Sequence, residues 1–125
     1  MKTPITTPKA PAAIGPYSQG IETAQFVYTS GQLPVDMETG ALEIADIRKA
    51  AKYSLENCKA VLEAAGASLK DVVKTTVFLT DLADFAAMNE VYAGYFPADP
   101  PARSCVQVAA LPKGAKIEIE LLAVK

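Results

Sequence analysis

The chain has 125 residues, half of them hydrophobic and 21% charged, with a net charge of −2 and no histidine. A chain of this length is expected to form one domain, residues 1–125, burying roughly two-thirds of its unfolded surface. Without histidine there is no Ser-His-Asp or Cys-His catalysis, no histidine-ligated zinc or haem and no ordinary base with a pKa near neutrality.

Pro4, Pro8, Pro11 and Pro16 exclude a helix from the N-terminal segment and leave an edge strand or an extended arm. Phe26 to Thr29 is a short β-type run that ends at Ser30-Gly31, and Pro34 and Glu38-Thr39-Gly40 mark turns after it. The period then changes. Ile47, Ala51, Leu55, Cys58, Leu62 and Ala65 recur at helical spacing, with Asp46 placed as N-cap and Gly66 as the glycine that stops the helix. Val72 to Leu79 is rich in β-branched residues, and strict alternation puts Val73, Thr75, Val77 and Leu79 on one face. After Asp81 the helical pattern returns through Leu82, Phe85, Met88, Val91, Tyr92 and Tyr95, until Pro97, Pro100 and Pro101 stop it. Two strands finish the chain. Ala102 to Val108 sets Arg103, Cys105 and Gln107 on one face, and Ile117 to Val124 sets Glu118, Glu120, Leu122 and Val124 opposite Ile117, Ile119, Leu121 and Ala123. This order predicts an α+β domain with helices covering one face of a sheet.

Cys58 and Cys105 are too few and too far apart for a disulfide framework, and no cysteine pair or carboxylate spacing fits a metal. No P-loop or Gly-x-Gly-x-x-Gly is present, so neither a cofactor nor a metal is indicated. A pI of about 5.1 and the lack of a basic run argue against nucleic acid as a partner. The N-terminus has no apolar stretch of signal-peptide type, and no segment approaches the ~18 to 20 apolar residues of a membrane span. A soluble protein of a reducing compartment, the cytoplasm, is expected.

Arg103, within Pro101-Ala102-Arg103-Ser104-Cys105-Val106, is either a solvated strand residue or an anchor for a carboxylate or phosphate, whose shape its planar fork matches. Glu118 and Glu120 share a strand face: either that face is exposed, or one carboxylate holds a water or takes a proton. Which of them points at Arg103 depends on strand pairing. Cys105 is read first as a small buried hydrophobe, and Tyr17 as a packing residue or as a phenol reaching a partner from a turn-prone segment. At Gly31 a ligand could approach the backbone closely.

Gly15-Pro16-Tyr17-Ser18-Gln19-Gly20, Thr29-Ser30-Gly31-Gln32, Val73-Lys74-Thr75-Thr76-Val77, Pro101-Ala102-Arg103-Ser104-Cys105-Val106 and Ile117-Glu118-Ile119-Glu120 resemble, in order and spacing, the RidA/YjgF/UK114 family. The resemblance implies a chorismate-mutase-like mixed sheet with two helices on one face, assembled as a homotrimer with sites between subunits. It implies a deaminase that hydrolyses reactive 2-imino acids, 2-iminobutanoate and 2-iminopropanoate, to 2-keto acids and ammonia, and so protects pyridoxal-phosphate enzymes. By the same resemblance Arg103 binds the substrate, Glu118 positions the attacking water and Tyr17 lines the pocket near the imine. Ser30, backbone groups of Gly31 and Cys105, and Asn89 complete substrate binding. The alternatives are a non-catalytic trimer that binds or senses small keto or amino acids, a chaperone-like trimer indifferent to Arg103, and, least favoured by the charge, an endoribonuclease or translation inhibitor. A mean hydropathy of +0.17 leaves apolar faces to spare for a subunit interface.

Overall fold

The structure is a computed structural model that describes residues 1–125. Six strands form one sheet: β1 (Thr3–Ile5), β2 (Gly20–Glu22), β3 (Phe26–Thr29), β4 (Val72–Leu79), β5 (Ala102–Gln107) and β6 (Ile117–Val124). Their spatial order is β1-β2-β3-β6-β4-β5, with β4 and β5 parallel and every other neighbour antiparallel. Two helices, α1 (Ile47–Ala64) and α2 (Phe85–Tyr95), complete the α+β architecture.

The ends of α1 follow from local chemistry. Asp46 Oδ1 accepts from the backbone N–H of Arg48 at 2.9 Å and of Lys49 at 3.2 Å, so two otherwise unpaired donors of the first turn are satisfied. At the other end Gly66 takes φ +78°, and the N–H groups of Gly66 and Ala67 close back on the carbonyls of Glu63 and Leu62. Between these caps one stripe, including Leu55, Cys58, Val61 and Leu62, is fully buried. At roughly 1.5–3 kcal/mol for each large apolar side chain, that stripe outweighs any helix propensity.

Both helices cover the same face of the sheet. The Cys58 thiol of α1 lies 3.4 Å from the carbonyl of Ile119, and Tyr92 of α2 bonds Thr75. Through the pairing of Val77 with Ile119, Thr75 and Ile119 belong to one layer. That layer (Val27, Thr75, Val77, Leu79, Ile117, Ile119, Leu121, Ala123) is buried with the α1 stripe, Met88 and Tyr92. The opposite face carries no helix and exposes Tyr28, Val106 and Val124.

Three details depart from the expected pattern. A β-bulge lies between Val72 and Lys74, where one residue of β6 faces two steps of β4. It turns Val72 into the core and leaves Val73 44% exposed, so Val73 does not share the face of Thr75. The second helical segment opens as a 3-10 turn, Leu82–Asp84, and Leu82 stays exposed. Strand β2, short and glycine-led, carried no β-branched run to announce it. It pairs with β1 on the edge of the sheet, as the prolines of the first segment allow.

The arm between β1 and β2 is pinned by one buried side chain. Gln19 Oε1 accepts from Thr7 N at 2.7 Å, and its Nε2 faces the carbonyls of Thr7, Ala10 and Pro11 at 2.7–3.2 Å. This holds the turn that carries Tyr17. No helix is long and apolar enough to cross a membrane.

Candidate active site

Arg103 enters the sheet opposite Thr75, on the helix-covered face, and its guanidinium lies under α2. Nη1 donates to Asn89 Oδ1 at 2.7 Å, and Cζ sits 4.7 Å from the ring centroid of Tyr92 and 5.4 Å from that of Phe85. Two aromatic faces and one amide therefore hold a cation that has no carboxylate partner, since the two ion pairs of the chain join Arg48 to Glu90 and Lys125 to Glu22. A cleft of about 490 Å³ opens beside it, between Asn89, Tyr92 and Phe96 of the α2 segment and Pro100-Pro101. A planar fork with unpaired N–H groups at the mouth of such a cleft suits a carboxylate.

Glu118 lies on the other face. Its strand partner is Phe78, whereas that of Arg103 is Thr75, and odd and even positions of β4 point to opposite sides. Neither Glu118 nor Glu120, which pairs with Thr76, points at the Arg103 of its own chain. Glu118 is instead set against Gly31: a Cβ added at Gly31 would stand 2.7 Å from Glu118 Cδ and 3.0 Å from Oε1. Only glycine leaves that room for the carboxyl. Burial, and then the like charge of Glu120, raise the Glu118 pKa above the ordinary carboxylate value.

Ser30 joins this second cluster. Its N–H donates to the Gln19 carbonyl at 2.9 Å and its hydroxyl to the Ser18 carbonyl at 2.5 Å, tying the Tyr17 turn to the Ser30-Gly31 strand end. Tyr17 itself is 51% exposed, a phenol with one side free. Cys105 sits two residues from Arg103 on the same face and packs against the core. Burial raises its thiol pKa and nearby Arg103 only partly offsets this, so the thiol stays protonated and is no activated nucleophile.

The seven residues singled out from the sequence thus fall into two groups. Asn89, Arg103 and Cys105 lie towards the helix side; Ser30, Gly31 and Glu118 lie at the open side, with Tyr17 on the turn next to them. Tyr92, Phe85 and Thr75 were missed as site residues, because their apolar or β-branched character reads as core. The spacing of Phe85, Asn89, Tyr92 and Phe96 along one helix stripe was the available signal. No cluster of three histidine, cysteine or carboxylate side chains could hold a metal ion. Another depression, of about 470 Å³, lies over the outer face of α1 between Lys52, Lys59 and the 35–38 loop, away from every one of these residues.

A family model, endoribonuclease L-PSP, matches residues 7–125. The 2-iminobutanoate/2-iminopropanoate deaminase of Salmonella typhimurium is 55% identical over 128 aligned positions that cover 100% of this chain and 99% of that protein. The protein of the same name from Escherichia coli K12 is 52% identical over 100% and 99% of the two chains. Among solved structures, E. coli TdcF with bound serine superposes with a TM-score of 0.94 at 53% identity, covering 98% of each chain. The E. coli YjgF gene product gives the same TM-score at 52% identity, again over 98% of both. Relatedness along the whole length, with a backbone that superposes on a solved relative at a TM-score of 0.94, makes this chain a member of the RidA/YjgF/L-PSP family.

Proposed function

We propose that the protein is a 2-iminobutanoate/2-iminopropanoate deaminase. The observation that carries this is Arg103: a guanidinium fixed by Asn89 and two aromatic rings, without a carboxylate of its own, at the mouth of an open cleft. In this reading its unpaired N–H groups take the carboxylate of a small 2-imino acid. The relatives named as deaminases support the choice of substrate, and serine bound to TdcF supports an amino-acid-sized ligand with a carboxylate.

The reaction asks little beyond placement. The iminium carbon is already electrophilic, and water adds to it. One proton leaves the water for Glu118 and the neutral carbinolamine forms. Glu118 then returns that proton to the nitrogen, which departs as ammonia while the hydroxyl proton passes back to Glu118 and on to solvent as the C=O bond of the 2-keto acid closes. Glu118, whose pKa burial raises, is a stronger base than an exposed glutamate. Placing the water and the carbon in contact supplies the rest. Tyr17 lines the imine end of the pocket, Ser30 and the Gly31 and Cys105 backbones frame the ligand, and no cofactor or metal is required. Removal of reactive imines in the cytoplasm would spare pyridoxal-phosphate enzymes from damage.

Arg103 and Glu118 of one chain stand on opposite faces of one sheet, too far apart to serve one small molecule. The site in this proposal is therefore shared: the Glu118–Gly31–Ser30 group of one subunit faces the Arg103–Asn89–Cys105 group of the next, in a homotrimer. The uncovered, partly apolar sheet face supports such a contact.

The decisive experiment generates 2-iminobutanoate with threonine dehydratase and follows 2-ketobutyrate, with Arg103→Ala as control. Acceleration over buffer by the intact protein, lost in the variant, is expected. No acceleration by the intact protein would leave a binder of small carboxylates as the better account. Salt-sensitive cleavage of RNA by the pure protein, unexpected at a net charge of −2, would instead favour the ribonuclease role.

A further inference from the structure

We propose that Tyr92, tethered through its hydroxyl to Thr75, is a positioning residue that fixes the plane of the Arg103 guanidinium and so selects planar carboxylates arriving edge-on; this rests on the deaminase reading given above. Phe85, Asn89, Tyr92 and Phe96 form one stripe on the α2 segment, and three of them touch Arg103. Asn89 fixes one nitrogen, but a single hydrogen bond leaves the guanidinium free to turn about that contact. The Tyr92 ring, centred 4.7 Å from Cζ, removes that freedom only if the ring is itself immobile.

It is held from three sides. Tyr92 is 6% exposed, the Phe96 ring stands 4.8 Å from it, and its hydroxyl lies 2.7 Å from Thr75 Oγ1. Thr75 is fully buried and is the strand partner of Arg103. A closed circuit results: Arg103 backbone to Thr75 backbone, Thr75 side chain to Tyr92 hydroxyl, Tyr92 ring to Arg103 guanidinium. The circuit sets the height of α2 above β5 at the one position where a cation must be aimed.

The choice of polar groups is the telling point. The two hydroxyls satisfy each other inside an apolar layer, and a phenylalanine and valine in their place would fill the same space with nothing left to satisfy. Stability does not need the pair; aim does. With Cζ held over two rings and Nη1 bound to Asn89, the remaining N–H groups are left unpaired, and a carboxylate can accept two of them at once.

The test uses the intact protein and three variants: Tyr92→Phe, the double variant Tyr92→Phe/Thr75→Val, and Thr75→Ser as the conservative control. Two quantities are read, the KM-against-kcat split for imine hydrolysis and the nitrogen-15 order parameter of the Arg103 Nε–H. Tyr92→Phe and the double variant are expected to raise KM by about tenfold with kcat within about twofold. Both are also expected to lower the Arg103 order parameter. The double variant should melt near the intact protein, Tyr92→Phe alone should melt lower because it leaves the buried Thr75 hydroxyl unpaired, and Thr75→Ser should keep the intact values. An unchanged KM with an unchanged order parameter overturns the proposal, as does a loss confined to kcat. If the intact protein fails to hydrolyse imines, the deaminase reading falls, and the order parameter still decides whether Tyr92 positions Arg103.

Discussion

Gly31→Ala is the sharpest probe of the Glu118 side of the site. The added methyl carbon would meet Glu118 Cδ at 2.7 Å and Cγ and Oε1 at 3.0 Å. To regain ordinary van der Waals separation, which begins at 3.4 Å, the carboxyl must retreat by roughly 0.7 Å. The atoms in the way are the far end of a side chain, so the glutamate swings rather than the backbone, and the fold survives. Overpacking of this kind costs about 1 kcal/mol here, and the smaller unfolded-state entropy of alanine returns about 0.4–1 kcal/mol. The melting temperature is therefore expected to stay within a few degrees of the parent. Catalysis is expected to be less forgiving, because a displacement of this order at the group we propose holds the water costs on the order of 100-fold in rate. The coupled dehydratase assay reads the rate, and a thermal melt of the same sample controls for folding. A Gly31→Ala protein that melts normally and hydrolyses 2-iminobutanoate at the parental rate would refute the placement of Glu118 at the reacting water.

Glu120→Gln removes the like charge that helps to lift the Glu118 pKa, so the ascending acid limb of kcat/KM should move to lower pH, as a pH–rate profile will read. The same shift has a stability sign. A carboxyl whose folded pKa is raised binds its proton more tightly folded than unfolded, so its contribution is greatest below the ordinary value of 4.5 and declines as pH rises through the folded value. Glu118→Gln should flatten that decline in urea titrations taken across the range; an unaltered slope would remove burial of Glu118 as its cause. Gln19→Leu leaves Thr7 N–H and the carbonyls it faces unpaired, at a cost of roughly 1–3 kcal/mol, and should speed tryptic cleavage after the exposed Lys9. Equal digestion rates would count against Gln19 as the pin of the arm. Mixed assembly of Arg103→Ala with Glu118→Gln chains should recover about a quarter of parental activity, since in a shared site one in four neighbour pairs joins an intact arginine to an intact glutamate. No recovery in verified mixed oligomers would refute the shared site.

Much of the fold is legible in the sequence because it is local. The cap at Asp46, the stop at Gly66 and the stripe between them specify α1 without reference to anything distant. The alternation of Ile117 to Val124 likewise tells which of its side chains are buried. Val73 is where local logic fails: a bulge against β6 depends on register, and no period-two pattern contains it. The motif residues are legible through family resemblance, but their partners are not. Tyr92 and Thr75 look like core, and they are core; their second role exists only because β5 lies parallel to β4 with Arg103 beside Thr75.

The same register explains why the lack of histidine does not disarm this chain. A histidine would unite, in one side chain, a base near neutrality and a cation when protonated. In the site we propose, those duties are split between two groups whose surroundings suit each. Arg103 lies over aromatic rings on the covered face, and Glu118 is made more basic by burial on the open one. Within one chain they would gain little by being adjacent, because a guanidinium beside Glu118 would pull its pKa down and close its own N–H groups on the carboxylate. Opposite faces of a sheet keep them apart during folding. In the shared site we propose, assembly then brings one chain's cation to its neighbour's base with the substrate carboxylate between them. Covering the apolar sheet face and completing the reaction centre become one event.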